Sequence, residues 1–445
     1  MQLRLMPSSA LDITTLWKTL ELAHLSGNIE RMGADKANTV IDKNNATLLG
    51  YTRLKRPVYF PDDARHLLII GTTGAGKTIS VSNPIKHAIK QSKGLLLIDG
   101  KGDMDENSML EITKRFCAEE GRKLHIINMN NPSQSDKYNP LRGATETVAK
   151  DMLVNMSDWS EEHYKANAER YIQRVVKMLR LAEIKLSFHT VVSNMSTDKF
   201  EMLSSSLVKD SVISKEQHIS NLELIKSSGK IAEQAAARFA TIAESEIGQI
   251  FDEDGIDIYT ALEAGEVIIF VLSPLLFPET TKAFGRLALI DAKKAVSKLF
   301  GKGKSITICC DEINTYATPV LTDLVNKSRS AGATVILATQ SFADLDAAAG
   351  EAFRRQVVEN CNHCLFMRQN EPKDAEITAQ IIGTKDKMQM TYQMSQSEAT
   401  GMGTAKRVRE FIAHPDDVKN LQQSEAFYLS RDNGKCERIK VIKPF

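Results

Sequence analysis

The chain has 445 residues, 42% apolar and 25% charged, the balance of a soluble globular protein long enough for two or three domains. Lys and Arg number 57 against 56 Asp and Glu, so no global charge draws the molecule to nucleic acid or anionic lipid, and a polyanion would have to be held by a local patch. No apolar stretch approaches the roughly 18 to 20 residues that a membrane span needs, and the start, MQLRLMPSSALDITTLW, lacks the apolar core of a secretory signal.

Residues 1–64 mix short helical and extended signals and are read as an N-terminal extension. From Arg65 to Ile70 (RHLLII) the pattern is a short apolar strand, followed directly by the glycine-rich run Gly71 to Thr78 (GTTGAGKT) and a helix-compatible stretch to Gln91. A second buried strand, Gly94 to Ile98, ends at Asp99. A helix near Asn107 to Glu120 and a third strand at Lys123 to Asn128 complete a βαβαβ unit, the start of a doubly wound parallel sheet. This first part of the nucleotide-binding domain is expected over residues 65–143.

After Tyr138 to Leu141 (YNPL) the period changes. Between 144 and 243 apolar residues recur at helical spacing, as at Ala168, Tyr171, Ile172, Val175, Val176 and Leu179, which predicts an inserted all-α domain. Strand patterns return at Val267 to Leu272, Ser305 to Cys310, Ala333 to Ala338 and Cys364 to Met367, with helices at Pro278 to Leu299 and Pro319 to Ser330. Residues 244–445 therefore resume and finish the nucleotide-binding domain. One biased segment, Met388 to Gly403, is rich in Met, Gln, Ser and Thr and reads as a flexible loop. The six cysteines, including the adjacent Cys309 and Cys310 of an apolar strand, read as small core residues rather than a disulfide framework.

Phosphates need backbone N–H groups aimed at them, and glycines let the chain curl until successive amides form an anion-binding nest at a helix N-terminus. Gly71, Thr72, Thr73, Gly74, Ala75, Gly76, Lys77 and Thr78 have that form. Lys77 would reach the β- and γ-phosphates of ATP, and the Thr78 hydroxyl would face Mg²⁺. Hydrolysis also needs strand-end carboxylates, one for the metal and one to orient water. Asp311 follows ITICC and is succeeded at once by Glu312, so Asp311 is assigned to magnesium and Glu312 to activating water. Asp99, Lys101 and Asp103 (DGKGD) are secondary candidates, open between a structural turn and a role in the site. Gln340, after the strand ATVILA, falls where an amide can sense the γ-phosphate. Arg329, eleven residues earlier, could reach a neighbouring subunit's γ-phosphate in a ring; the alternative is a surface arginine favoured by a helix C-terminus. Cys361 and Cys364 form a lone CxxC with no second pair, a weak metal signal. The basic clusters Arg53 to Arg56 and Lys406 to Arg409 read more readily as solvated surface than as phosphate contacts.

With these residues in order, the chain resembles the type IV secretion coupling proteins, the TraG/TraD type of conjugative ATPase, within the FtsK/HerA group of DNA-translocating motors. The resemblance rests on GTTGAGKT, LLLIDGKGD, YNPL, CCDEIN at Cys309 to Asn314 and SRSAGATVILATQSFADL at Ser328 to Leu345, and it covers Arg65 onward. It implies a RecA-like P-loop fold and the same roles for Lys77, Thr78, Asp311, Glu312 and Gln340, with Arg329 acting in trans. It also implies a homo-hexamer around DNA at the inner face of a bacterial inner membrane, receiving a relaxase–DNA complex or other secreted protein for the type IV secretion components. Two departures stand out: the family's usual transmembrane helices are not in this sequence, and its usual proline after the second-strand aspartate is Gly100. Two rival readings follow from other classes. One is a recruitment platform whose nucleotide sets only its oligomeric state; the other is a soluble HerA-like motor working with a nuclease.

Overall fold

The computed structural model describes residues 45–159, 161–395 and 398–444, the side chains of 390–405 excepted. Its strands are β1 (Ala46–Thr52), β2 (Pro57–Pro61), β3 (His66–Ile70), β4 (Gly94–Asp99), β5 (Leu124–Asn128), β6 (Val267–Val271), β7 (Ile306–Asp311), β8 (Ala333–Thr339), β9 (His363–Phe366), β10 (Thr384–Ser395), β11 (Glu398–Phe411), β12 (Glu425–Ser430) and β13 (Lys435–Val441). Eleven of them form one sheet in the order β2-β1-β13-β12-β9-β3-β8-β7-β4-β6-β5. From β9 to β5 every neighbouring pair is parallel, and from β9 outward through β12, β13, β1 and β2 every pair is antiparallel.

The parallel strands are continuous apolar runs because both of their faces are covered. Successive residues alternate between the two faces. Leu67, Ile69, Leu95, Leu97 and Ile269 pack against α1 (Lys77–Lys90) and α2 (Met109–Glu119) on one side. Leu68, Ile70, Leu96, Ile98 and Phe270 enter the larger core on the other. That second core continues without a break into five helices of the inserted segment: α3 (Glu146–Asn155), α4 (Glu162–Leu181), α5 (Phe188–Asn194), α6 (Thr197–Lys209) and α7 (Lys215–Ala243). All six apolar positions picked out on α4 are buried. Hydroxyl caps mark where these helices start: Thr145 accepts from the Val148 N–H, Ser187 from Thr190, and Ser214 forms a capping box with Gln217. The remaining helices are α8 (Ile258–Glu263), α9 (Pro278–Leu299), α10 (Pro319–Ser328), α11 (Phe342–Asn360), α12 (Pro372–Ile382) and α13 (Pro415–Lys419).

The inserted segment is anchored where the chain leaves and re-enters the sheet. The Tyr138 hydroxyl donates to Asp291 Oδ2 at 2.8 Å, and Lys294 Nζ lies 2.7 Å from Asp291 Oδ1 and 3.3 Å from Asp257. The Asn139 amide donates to the carbonyls of Leu186 and Glu253, both at 2.9 Å. The YNPL segment thus ties the motor sheet, the helical insertion and α9 into one polar knot inside the core.

Two expectations are corrected. Residues 46–61 are not an extension: β1 and β2 extend the sheet, and Gly50 lies so close to β13 that a Cβ there would meet the Lys440 carbonyl oxygen at 2.2 Å. Met388 to Gly403 is not a loop, since β10 and β11 run through it as a two-stranded antiparallel ribbon separate from the main sheet. The remainder of the expected extension, residues 1–44, lies outside the described residues. No helix among the described residues is long and apolar enough to cross a membrane.

Candidate active site

Parallel pairing decides which side chains meet. Ile70 at the end of β3 is opposite Thr339 at the end of β8, and Asp99 at the end of β4 is opposite Asp311 at the end of β7. The carboxyl edge of the sheet therefore gathers Gly71, Gln340, Asp311, Glu312 and Asp99 in one place, the crevice where open α/β sheets bind ligands.

The glycine-rich run curls between β3 and α1. Gly74 and Gly76 have φ of +76° and +104°, left-handed values that few L-residues adopt, and Gly76 is the N-cap of α1. Lys77 Nζ donates to the Gly71 carbonyl at 2.9 Å and lies 3.4 Å from Glu312 Oε1. The Gln340 amide donates to the same Glu312 oxygen at 3.1 Å and accepts from the Thr73 hydroxyl at 3.0 Å. Four residues from three separate parts of the chain thus form one connected network.

Glu312 is held in an unusual way. Its φ is +46°, and its N–H donates to Asp311 Oδ1 at 3.0 Å. It is only 5% exposed, and its Oε2 has no hydrogen-bond partner. A buried carboxylate oxygen without a partner costs roughly 1–3 kcal/mol or more; a water molecule donating from the crevice would satisfy it.

Burial raises the Asp311 carboxyl to about 7, with the neighbouring charges of Asp99 and Glu312 adding to the effect. Asp99 is raised to about 6, again chiefly by burial, although its Oδ1 accepts from the N–H groups of Lys101 and Gly102 at 3.0 and 3.2 Å. Two buried acids side by side with one nearby lysine make a site short of positive charge. A divalent cation would supply that charge. Mg²⁺ typically takes one or two carboxylates and fills its octahedron with phosphate oxygens and water, a donor set that Thr78 and Asp311, which line the same cavity, would fit.

A cavity of about 410 Å³ joins these parts. It is lined by Thr72, Thr73, Lys77, Thr78, Ile79, Asp311, Glu312 and Gln340 and by residues at the start of α2. Asp99, Lys101 and Asp103 also line it, with Lys101 and Asp103 paired to each other. Gln423 and Lys443, which no motif singles out, complete the wall.

The other candidates lie elsewhere. Arg329 is exposed and directly precedes β8, at the opposite end of a strand that spans about 23 Å at 3.3 Å per residue. It does not meet its own chain's phosphate loop. Cys361 caps the end of α11 and Cys364 lies on β9; both are buried, and burial drives both thiols upward, as expected of core residues. Arg53 to Arg56 form the exposed turn between β1 and β2. Arg407 and Arg409 pair with Asp386 across the ribbon, and Lys387 pairs with Glu410.

A strand, a glycine loop and a helix in this order, with a DE pair two strands away, define a P-loop NTPase carrying an inserted helical domain. The chain belongs to the family described as the central domain of helicase HerA, which matches residues 48–283, more than half of its length. A second family, the TraM recognition site of TraD and TraG, matches residues 305–423. Among solved structures the chain is similar to the bacterial conjugative coupling protein TrwBdeltaN70 in its unbound monoclinic form. There the TM-score is 0.67 and the identity 16%, covering 94% of this chain and 92% of that one. The same coverage holds for TrwB in complex with ADP and Mg²⁺, at a TM-score of 0.63 and 15% identity. VirB4 of Thermoanaerobacter pseudethanolicus follows with a TM-score of 0.58 and 15% identity over 90% of this chain and 97% of that one. The fold is that of the coupling ATPases of the FtsK/HerA group. No curated protein matches the sequence.

Proposed function

We propose that this chain is a coupling ATPase. It would use ATP and Mg²⁺ to move DNA, or a relaxase–DNA or protein substrate, toward a type IV secretion channel of the conjugative kind. The observation that carries the reading is the network of Lys77, Glu312, Gln340 and Thr73 beside Asp311 at the carboxyl edge of the sheet, with a helical domain inserted between its two halves. The HerA family match, the TrwB-like fold and the TraM recognition-site match over residues 305–423 support it. TrwB solved with ADP and Mg²⁺ supports nucleotide and magnesium as the cofactors.

In this reading the phosphates enter the nest of N–H groups and draw Lys77 away from the Gly71 carbonyl. Glu312, with one oxygen held by Gln340 and the other free, takes a proton from water positioned over the γ-phosphate. Thr78 and Asp311 would hold Mg²⁺, which would supply charge neutralisation to the phosphates. Gln340 joins the Thr73 hydroxyl on the phosphate loop to Glu312, so it is placed to report the presence of the γ-phosphate to the base.

The test is ATP turnover with and without added DNA. The wild-type chain is expected to hydrolyse ATP faster on DNA. Glu312→Gln should bind nucleotide and fail to turn it over, while Lys77→Ala should lose binding. Equal turnover in wild type and Glu312→Gln would overturn the assignment. The HerA match also favours a second reading, a motor in DNA processing; copurification with a nuclease and not with relaxase or secretion proteins would select it.

A further inference from the structure

The nucleotide cavity has a wall that the motor motifs do not supply. It is built by the β12–β13 hairpin at the far end of the chain. The turn before β12 is bonded directly to the phosphate loop: the Ser424 N–H donates to the Ala75 carbonyl at 2.8 Å, and Ser424 has a left-handed φ of +62°. The contact is close enough that a Cβ on Gly76 would meet Ser424 Oγ at 3.0 Å and its N at 3.3 Å. The stretch after β13 is clipped to α1. The Asn83 amide donates to the Ile442 carbonyl at 3.0 Å, and Lys86 Nζ donates to the Pro444 carbonyl at 2.7 Å. These bonds hold the backbone on both sides of Lys443, and β12 and β13 are themselves fixed in the sheet between β9 and β1. Gln423 and Lys443, both exposed, therefore line the same cavity as Thr78 and Ile79 from rigid supports.

The direction of the nucleotide follows from the loop. Lys77 and Glu312 mark the γ-phosphate end, and moving along α1 past Thr78 to Ile79 leads toward the α-phosphate and sugar. We infer that Gln423 and Lys443 contact the bound nucleoside triphosphate at this second end, Lys443 through the charge of its α- and β-phosphates and Gln423 through hydrogen bonds to the sugar or base. An ammonium ion suits the first task as a mobile point charge. A side-chain amide suits the second because it carries both a donor and an acceptor and can distinguish base edges. The inference rests on the nucleotide-site reading above and names residues that set its affinity and its choice of base.

Titration of the full chain with non-hydrolysable ATP and GTP analogues tests it, using wild type, Lys443→Ala, Gln423→Ala and Lys435→Ala, an exposed lysine at the start of β13 and remote from the cavity. Far-ultraviolet circular dichroism and melting temperature confirm that each variant is folded. Lys443→Ala is expected to weaken both analogues roughly tenfold, the loss of one charge-assisted hydrogen bond, and to bind with a shallower salt dependence. Gln423→Ala is expected to change the ATP-to-GTP affinity ratio about threefold or more, the size of a single neutral hydrogen bond. Lys435→Ala should match wild type. Wild-type affinity, salt dependence and base preference in both cavity variants would overturn the inference and leave the nucleotide site standing. A wild-type chain that binds neither analogue would remove both.

Discussion

Glu312 adopts a backbone conformation that costs a non-glycine residue about 1–3 kcal/mol, and its Oε2 is buried without a partner. Its other oxygen, Oε1, meets Lys77 and Gln340, and the side chain lines the crevice. Gly100 explains part of how this is possible. Its N–H donates to the Asp311 carbonyl at 3.1 Å, and a Cβ there would meet the carbonyl oxygens of Asp311 and Glu312 at 2.7 and 2.9 Å and the Tyr316 ring at 3.0 Å. Proline at this position could not make that hydrogen bond, so the departure from the family pattern noted in the sequence has a structural reason. Gly100→Ala is expected to cost about 1–3 kcal/mol by overpacking, read as a shift in urea midpoint, and to slow turnover by displacing the DE pair. Unchanged stability would show that the strand tips can separate freely. A second residue-scale prediction concerns acid. Burial lowers His66 and His363 from 6.5 to about 4, so both are neutral in the folded chain. At these two histidines the unfolded chain binds more protons between these values, so their contribution to stability is lost as pH falls from 6.5 toward 4, against the opposite contribution of the buried Asp311 and Asp99. His363→Gln should flatten that loss in urea melts at pH 7 and pH 5, and an equal slope in both proteins would contradict it.

At the scale of elements, the parallel strands and their helices were legible because each is a short run of buried apolar residues with turn chemistry at its ends. The phosphate loop and the DE pair were legible because their spacing is dictated by phosphate and metal chemistry. β1, β2, β12 and β13 were not. Pairing β1 with β13 joins residues near 50 to residues near 440, and no local pattern announces a contact of that separation. Prolines at both ends of β2 and a glycine inside β1 further disguised them as turns. The ribbon of β10 and β11 was missed because its sequence lacks the apolar alternation of a strand with one buried face. Gln423 and Lys443 went unnoticed for the same reason as the strands that carry them. The knot beneath the helical insertion gives an element-scale prediction. Lys294 is buried between Asp291 and Asp257, and Lys294→Met would leave Asp291 without its cation. A loss of about 3–5 kcal/mol is expected for breaking such a buried pair, measured by chemical denaturation. A change below 1 kcal/mol would show that the Tyr138 hydroxyl suffices to hold the carboxylate.

At the scale of the whole molecule, the exposed Arg329 stands at the amino edge of the sheet while the nucleotide cavity opens at the carboxyl edge. That separation keeps it from its own chain's phosphate loop: in a ring one subunit's amino edge could face its neighbour's cavity, and otherwise Arg329 is a surface arginine at a helix C-terminus. Arg329→Ala is expected to bind nucleotide normally and to lose most of its turnover, with wild-type subunits slowed when the two are mixed. Full turnover in the variant would return Arg329 to the surface. Nucleotide hydrolysis at Glu312 should move DNA, and displacement of a triplex-forming strand from duplex DNA reads that coupling. The wild-type chain should displace the third strand only with ATP and Mg²⁺, and Glu312→Gln should not displace it at all. Displacement by Glu312→Gln equal to that of wild type, or ATP turnover without displacement, would show that hydrolysis at Glu312 does not move DNA.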